Sequence, residues 1–380
     1  MNLRDTPADR AVWDRIERSF RPKHCPYFEC PSNTDGDFVC DRHGWHKRRY
    51  APRLAQRFRC RRCKRTFSTQ TFRYSYWQKR PDIDRCVQNS GRACSGNRQM
   101  ATMFGCSPST IAAKVTRLAR HAIRFHVKTL SAVASLAGTV LFDGLGSFEH
   151  SQYSPYWLNA AIHAETALVL GFTESALRRS GTMTKRQQEK RAELERKRGT
   201  PPRDTVRTET AELLRAVKPF FDWTKTKLRS DKHKAYRAAV KDAGLGEVEH
   251  ETVDGSAPRG SPDHPLWEIN LADLLIRHDS SNQKRETIAF NKRRQSGLEK
   301  AWIWATWRNY MRRRFVKRPS PTPAMLAELA EKPLAFEDIF DERIFDWKVP
   351  VAPAWAKQIA RDIVTLDLEV NRRHRLVFAY

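Results

Sequence analysis

Residues 139–148, TVLFDGLGSF, decide the class of fold that this chain adopts. They form a nearly continuous apolar run, which is typical of a buried central strand. Two further predicted strands follow at once, YWLNAAIHAET at residues 156–166 and ALVLGFTES at residues 167–175. Because segments with helical periodicity lie on both sides of these runs, the sequence predicts helices together with a sheet that begins with three successive strands.

Asp143 interrupts the apolar run of the first strand. A carboxylate at a position where an apolar side chain is expected needs a cation, a hydrogen-bond network or a raised pKa. Two more acidic stretches follow, LRSDKHKAY around Asp231 and INLADLLIRHD around Asp273. The order and spacing of the three stretches predict a metal-binding carboxylate triad.

The second and third acids each have an ordinary alternative. Asp231 precedes the helical stretch KHKAYRAAV and could equally be a helix N-cap. Asp273 lies on a predicted helix, where an exposed aspartate is usually only solvated. Helical spacing assigns a packed face to Leu271, Leu274 and Leu275, and the opposite face to Asn270, Asp273 and Arg277.

The charge of the chain favours a polyanionic partner. The 380 residues include 70 Lys and Arg against 43 Asp and Glu, a net charge of +27. Such a chain attracts nucleic acid or an acidic membrane surface. No apolar run approaches the length of a membrane span, and the first residues, MNLRDTPADRAVW, lack the apolar core of a signal peptide. We therefore expect a cytoplasmic protein.

Two cysteine pairs predict a structural zinc site. Cys25 and Cys30 are separated from Cys60 and Cys63 by 29 residues, which gives C-x4-C and then C-x2-C. Four thiolates at two tight turns can close a tetrahedral shell around zinc. The alternatives are incidental buried cysteines, or a ligand supplied by Cys40 or His43 from the intervening loop.

An acid-free basic segment surrounds the second cysteine pair. Residues 42–80 contain fourteen Lys and Arg and no Asp or Glu, interleaved with aromatic residues. A surface that is merely soluble mixes both signs of charge, so the segment indicates phosphate contact. We expect Arg61, Lys64 and Arg65 to contact DNA. The alternative is a solvated face whose aromatic residues form a small core.

A helix-turn-helix is predicted next. The sequence favours a helix over residues 97–104, a turn at Gly105 and a second helix capped by Ser107, with Pro108 at its first position. This unit would present Ser109, Thr110, Lys114 and Arg117 to a major groove. A structural hairpin or a dimerisation element would give the same pattern.

These motifs resemble bacterial insertion-sequence DDE transposases that carry an N-terminal zinc ribbon. The most specific stretches are RCRRCKRTFS and KRETIAFNKRR. The resemblance covers about residues 20–318. It implies a multidomain α+β protein with a zinc ribbon and basic arm at 1–80 and a helix-turn-helix segment at 81–132. An RNase H-like mixed-sheet α/β catalytic domain would follow at 136–318, with a charged helical insertion at about 183–203. The extension 319–380 has no assigned role.

The resemblance also implies the chemistry. Asp143 would bridge two Mg²⁺ or Mn²⁺ ions, with Asp231 on one and Asp273 on the other, for strand cleavage and transfer at terminal inverted repeats. The third position departs from the family pattern. Many relatives place Glu one helical turn before Asn, whereas this chain has Asn270 and then Asp273. Glu268 is the alternative third ligand, and a damaged site is the other possibility.

The resemblance assigns basic residues and partners as well. Arg277 and Lys284 would neutralise phosphate charge, and Arg285, Lys292 and Arg293 would hold the DNA. The DNA partners would be double-stranded terminal repeats and target DNA. The protein would also assemble with one or more further copies of itself. It would act in the bacterial cytoplasm, on the nucleoid. Two other functions stay open: an inactive DNA-binding descendant that represses the element, and a metal-dependent nuclease that does not join strands.

The charge balance generates the first prediction. DNA affinity should fall steeply with salt, because each phosphate neutralised contributes about −0.9 to the slope of log affinity against log salt concentration. Fluorescence anisotropy of a labelled duplex over a range of salt concentrations measures this slope. A slope near zero would contradict the electrostatic argument.

Overall fold

The structure is a computed structural model, and it describes residues 17–48, 52–133, 135–254, 261–284, 287–315 and 318–368. Its architecture is mixed α/β, with one three-stranded sheet and one mixed five-stranded sheet. The described residues form two compact units. Residues 17–85 and 336–350 belong to the first unit, and residues 86–335 and 351–368 belong to the second.

The elements are numbered in chain order. The strands are β1 (Cys40–Lys47), β2 (Leu54–Cys60), β3 (Thr66–Ser68), β4 (Leu136–Phe148), β5 (Pro155–His163), β6 (Leu168–Ala176), β7 (Phe221–Asp231) and β8 (His250–Val253). The helices are α1 (Ser32–Asp35), α2 (Asp84–Gly91), α3 (Asn97–Met103), α4 (Pro108–Leu130), α5 (Lys185–Arg198), α6 (Thr205–Val217), α7 (Tyr236–Asp242), α8 (Trp267–Asp279), α9 (Arg294–Thr306), α10 (Pro323–Leu326), α11 (Phe336–Phe340) and α12 (Pro353–Ala360).

The first unit is built on the antiparallel sheet β1-β2-β3. Its core joins Phe58, Phe67 and Phe72 to Phe345, which comes from the C-terminal extension. The backbone N–H of Arg343 donates to the carbonyl of Phe72 at 2.7 Å, which fixes the extension beside that core. Part of the segment that the sequence left without a role therefore completes the N-terminal unit.

The five-stranded sheet has the order β6-β5-β4-β7-β8. β4 is its central strand: β5 pairs with it antiparallel on one side, and β7 pairs with it parallel on the other. The run of three strands that the apolar pattern predicted is confirmed as β4, β5 and β6. Their residues are mostly buried, as expected of strands covered on both faces.

The predicted helical hairpin is present as α3 and α4. Ser107 caps α4, because its hydroxyl accepts the backbone N–H of Thr110 at 3.2 Å, and Gly105 in the turn has a positive φ of 57°. However, α4 runs for 23 residues and packs on α9 along a largely buried face. Residues 86–132 thus belong to the same compact unit as the large sheet, whereas the sequence grouped 81–132 as a separate segment.

The charged stretch at residues 184–198 forms α5, and none of its residues is buried. Thr184 caps it through the backbone N–H of Gln187. The sequence predicts a final helix near residues 355–371, but α12 ends at Ala360, and residues 369–371 lie outside the described residues. Among the described helices, none has the length and apolarity that crossing a membrane requires.

The C-terminal extension also contributes to the second unit, through Trp355 of α12. Its indole is fully buried and donates to the carbonyl of Phe172 on β6 at 3.2 Å. The ring fills the space above Gly171, where an added Cβ would lie 2.5 Å from Trp355 Cζ2. Trp302 and Trp304 of α9 are buried in the same unit, so their rings are core residues and not base-stacking platforms.

Gly171→Ala should destabilise the second unit, because the new methyl group would force Trp355 out of its packed position. We expect a loss of about 1–3 kcal/mol in the free energy of unfolding, measured by chemical denaturation. Gly91→Ala is the matched control, since an added Cβ there meets no atom within 4 Å. Equal effects of the two substitutions would contradict this packing.

Candidate metal centre and carboxylate cluster

Four cysteines form a candidate zinc centre in the first unit. The ligand atoms of Cys25, Cys30, Cys60 and Cys63 all lie within 4.8 Å of one another. The Sγ atoms of Cys25 and Cys63 are 3.7 Å apart, as are those of Cys30 and Cys60. A tetrahedral zinc with Zn–S bonds of about 2.3 Å requires sulfur separations of about 3.8 Å, so the cluster fits the ion. The clustering predicted from spacing is confirmed.

Local backbone geometry brings the second pair together. Cys60 ends β2, and the turn that follows returns through Lys64, whose backbone has a positive φ of 59° and donates to the Cys60 carbonyl at 3.0 Å. Cys25 and Cys30 lie in the segment before α1. Among the described residues, only these four form a group of potential ligands at this spacing, so Cys40 and His43 stand outside the cluster.

Three of the four thiols have shifted pKa values. Burial raises the pKa values of Cys25 and Cys63 above their usual range. Burial acts in the same direction on Cys30, but hydrogen bonds with Ser32, Cys60 and Cys63 together outweigh it and bring the pKa of that thiol to about 6. A zinc ion would displace the thiol protons and convert the buried sulfurs into ligands.

Arginines around the second cysteine pair form ion pairs. Arg61 contacts Asp41 at 2.6 Å and Arg65 contacts Glu29 at 3.0 Å. All four side chains are at least half exposed, so these pairs contribute little to stability and a phosphate group can compete for the arginines. The basic segment contains no acid itself, but acids that precede it in the chain fold back onto it. Lys64, the third predicted DNA contact here, is exposed.

The predicted groove contacts of the helical hairpin differ in exposure. Ser109 is exposed, and Thr110 and Arg117 are partly buried. Lys114 is only 6% exposed, because it lies on the side of α4 that packs into the second unit. The expectation that Lys114 reaches a DNA groove is therefore corrected: its position is that of a core residue in this structure.

Asp143 and Asp231 lie level with each other on neighbouring parallel strands. The register pairs Leu141 of β4 with Arg229 of β7, and each aspartate is two residues further along its strand. Side chains two residues apart point to the same face, so both carboxylates project on one side of the sheet. Both are partly buried.

Hydrogen bonds hold these two carboxylates. Asp143 Oδ1 accepts the backbone N–H of Gly144 at 2.7 Å and the hydroxyl of Tyr236 at 3.2 Å. Asp231 Oδ1 accepts the backbone N–H of His233 at 2.9 Å. Since α7 begins only at Tyr236 and has no side-chain cap, Asp231 closes a turn after β7 and does not cap the helix.

Tyr236 lies near the predicted acids and donates to one of them, Asp143. Its side chain is buried, and burial raises the pKa of its hydroxyl far above the usual range. The negative charges of Asp143, Asp231 and Asp273 act in the same direction, so all three carboxylates are within electrostatic reach of this hydroxyl. The sequence alone did not single out Tyr236, although it follows Asp231 by only five residues, in SDKHKAY, and this proximity could have indicated its place near the acid.

Helix α8, which carries Asp273, is rotated relative to the prediction. Its buried apolar residues are Ile269, Ala272 and Ile276, whereas Leu274, predicted to be packed, is 62% exposed. The predicted leucine face is therefore wrong. Asp273 lies four residues after Ile269 and three before Ile276, which puts it beside the buried stripe and not opposite to it.

Glu268, the alternative third ligand, is engaged elsewhere. Its carboxylate forms an ion pair with Arg314 and is 12% exposed. Arg277 links α8 to the sheet, because its guanidinium donates to the carbonyl of Gly146 at 2.9 Å and to that of Gln283 at 3.0 Å. With Lys284 and Trp157 it lines a cavity of about 240 Å³ at the end of β4.

The remaining predicted DNA contacts are scattered. The Lys292 ammonium lies over the ring of Phe290, 3.6 Å from its centre. Arg293 is partly buried and immediately precedes α9. Arg285 lies outside the described residues.

No known protein family matches this chain, and neither does any curated protein.

The sulfur cluster generates a prediction about metal content. Purified protein should contain about one zinc ion per chain, and Cys60→Ser should lose it, because a hydroxyl is a poor substitute for a buried thiolate ligand. Cys40→Ser is the control: it removes a thiol from the same sheet but leaves the cluster intact. Atomic absorption measures both. Equal zinc loss in the two variants would exclude this ligand set.

Proposed function

We propose that the protein is a DNA transposase of the DDE type, in which the second unit is an RNase H-like catalytic domain and the first is a zinc ribbon. The observation that carries the proposal is that Asp143 and Asp231 lie on one face of the sheet, with the Tyr236 hydroxyl bonded to Asp143 and the charge of Asp273 within electrostatic reach of that hydroxyl. The mixed sheet supports it, because the parallel pairing of β4 and β7 sets two of the acids level. The four-cysteine cluster supports the ribbon.

The donor set fits magnesium or manganese. These hard cations take oxygen ligands, and two partly buried carboxylates on one side of a sheet, with a third partly buried carboxylate on α8, offer them. Divalent ions bound there would activate water or a 3′-hydroxyl and stabilise the leaving oxygen. Asp143 would bridge, with Asp231 and Asp273 on either side. Asp273 is favoured over Glu268 because the latter is committed to Arg314.

Several residues of the chain would support this chemistry without binding metal. The Tyr236 hydroxyl donates to Asp143 Oδ1 and fixes the orientation of that carboxylate. The indole of Trp157 lies so close to Gly144 that an added Cβ there would be 2.5 Å from the ring, so a glycine is needed next to Asp143. Arg277 and Lys284 stand beside the same strand end, where a phosphate backbone would need cations.

The partners follow from the charge and from the reaction. A net charge of +27 favours double-stranded DNA, with the terminal inverted repeats and the target as substrates. Because two ends must be held together for transposition, we propose a homodimer or larger assembly on DNA. Its site of action would be the bacterial cytoplasm, on the nucleoid.

The catalytic proposal predicts that Asp143→Asn and Asp231→Asn each abolish Mg²⁺-dependent or Mn²⁺-dependent cleavage of DNA that carries the flanking inverted repeats. The expected loss is on the order of a hundredfold or more, because each substitution removes a charged ligand but keeps the side-chain volume. DNA affinity, measured by fluorescence anisotropy, should stay within about twofold of the wild-type value, because binding is assigned mainly to other residues.

The third ligand is tested by a matched pair on α8. Asp273→Asn should abolish cleavage, whereas Glu268→Gln should retain it. The reverse outcome would move the third ligand to Glu268. Wild-type protein that binds its terminal repeats but never nicks them would favour the inactive descendant, and nicking without strand joining would favour the nuclease.

A further inference from the structure

A cavity of about 460 Å³ opens in the first unit, apart from the zinc cluster and the carboxylates. This volume lies within the range of about 300–1,000 Å³ that is typical of small-molecule sites. Its lining combines aromatic rings with cations, chiefly Tyr27, Tyr76, Trp77, Arg48, Arg57 and Lys79. Of the described residues that line it, none is acidic. Such a cavity suits a ligand that is both planar and anionic.

Trp77 is the unusual residue of this lining. Its side chain is 64% exposed, although an indole is among the most costly groups to leave in water. Its backbone has a positive φ of 59°, a conformation that bulky residues rarely adopt. Strain of this kind persists where the surrounding structure enforces it, and it is concentrated at functional positions. The fold therefore holds this ring at the cavity at a cost.

The neighbouring groups are arranged around the ring. Tyr76 packs edge-on to Trp77, with ring centres 6.1 Å apart. The guanidinium of Arg343 covers Tyr76 at 4.8 Å, which fixes that ring. Burial lowers the pKa of Arg48, and the negative charge of Glu17 opposes that shift, while the guanidinium donates to the carbonyl of Pro52 at 3.2 Å.

We propose that this cavity receives a single unstacked nucleotide of DNA, with the base stacked on Trp77 and the phosphate held by Arg48, Arg57 or Lys79. Phosphates of an intact duplex need only a basic surface, whereas a cavity with an exposed indole offers a stacking partner to a base that has left the helix. The inference rests on the proposed DNA binding but is independent of the carboxylate chemistry.

Trp45 supplies a matched control. It is 41% exposed on β1 in the same unit, with Arg18 5.6 Å from its ring centre. The next residue, His46, lines the cavity and Trp45 does not. Because successive side chains of a strand point to opposite faces, removal of the Trp45 ring should leave the cavity unchanged.

The test compares two duplexes of equal length and sequence, one fully paired and one with a single unpaired 2-aminopurine, using the full-length protein. Wild type should prefer the unpaired nucleotide by on the order of tenfold and quench its fluorescence, because base stacking on an aromatic ring contributes that much affinity. Trp77→Ala should lose both the preference and the quenching, while its affinity for paired DNA and its zinc content stay unchanged. Trp77→Phe should retain part of the preference, and Trp45→Ala should retain all of it.

Equal wild-type affinity for the two duplexes would overturn the nucleotide site while leaving the proposed transposase standing. Equal losses in Trp77→Ala and Trp45→Ala would do the same, because they would indicate a general surface effect. Failure to bind either duplex would overturn both proposals.

Discussion

The parallel pairing of β4 with β7 is the constraint on which the candidate active site depends. It sets Asp143 and Asp231 level on one face of the sheet, where both carboxylates are partly removed from water. Like charges in such a setting repel each other more strongly than in bulk solvent. Hydrogen bonds from Gly144, Tyr236 and His233 offset part of this cost, and a divalent cation would offset the rest.

Features that depend on local geometry could be predicted from the sequence. The cysteine spacing was sufficient to find the sulfur cluster, because a knuckle is formed by a few consecutive residues. The apolar runs predicted β4, β5 and β6, and Ser107 with Pro108 predicted where α4 begins. The order of the acids along the chain was not needed for these steps, since each depends only on neighbouring residues.

Features decided by tertiary packing could not be predicted. Helix α8 has apolar residues around much of its surface, so its sequence does not select one buried face, and contact with the sheet decides its rotation. Lys114 has the spacing of an exposed hairpin residue, but it is buried in the structure. The arginines near Cys60 looked unopposed because their acidic partners precede the basic segment in sequence. The C-terminal extension was uninterpretable for the same reason: Phe345 and Trp355 each complete a core formed by residues far away in the chain.

We propose that Asp143, Asp231 and Asp273 form one divalent-metal site. Anomalous diffraction from crystals of the protein soaked in Mn²⁺ would locate the ion. We expect a manganese peak between Asp143 and Asp231, with carboxylate oxygens at about 2.0–2.2 Å and Asp273 as a ligand of the same or a second ion. Well-ordered carboxylates with no manganese between them, at saturating Mn²⁺ and with DNA bound, would contradict it.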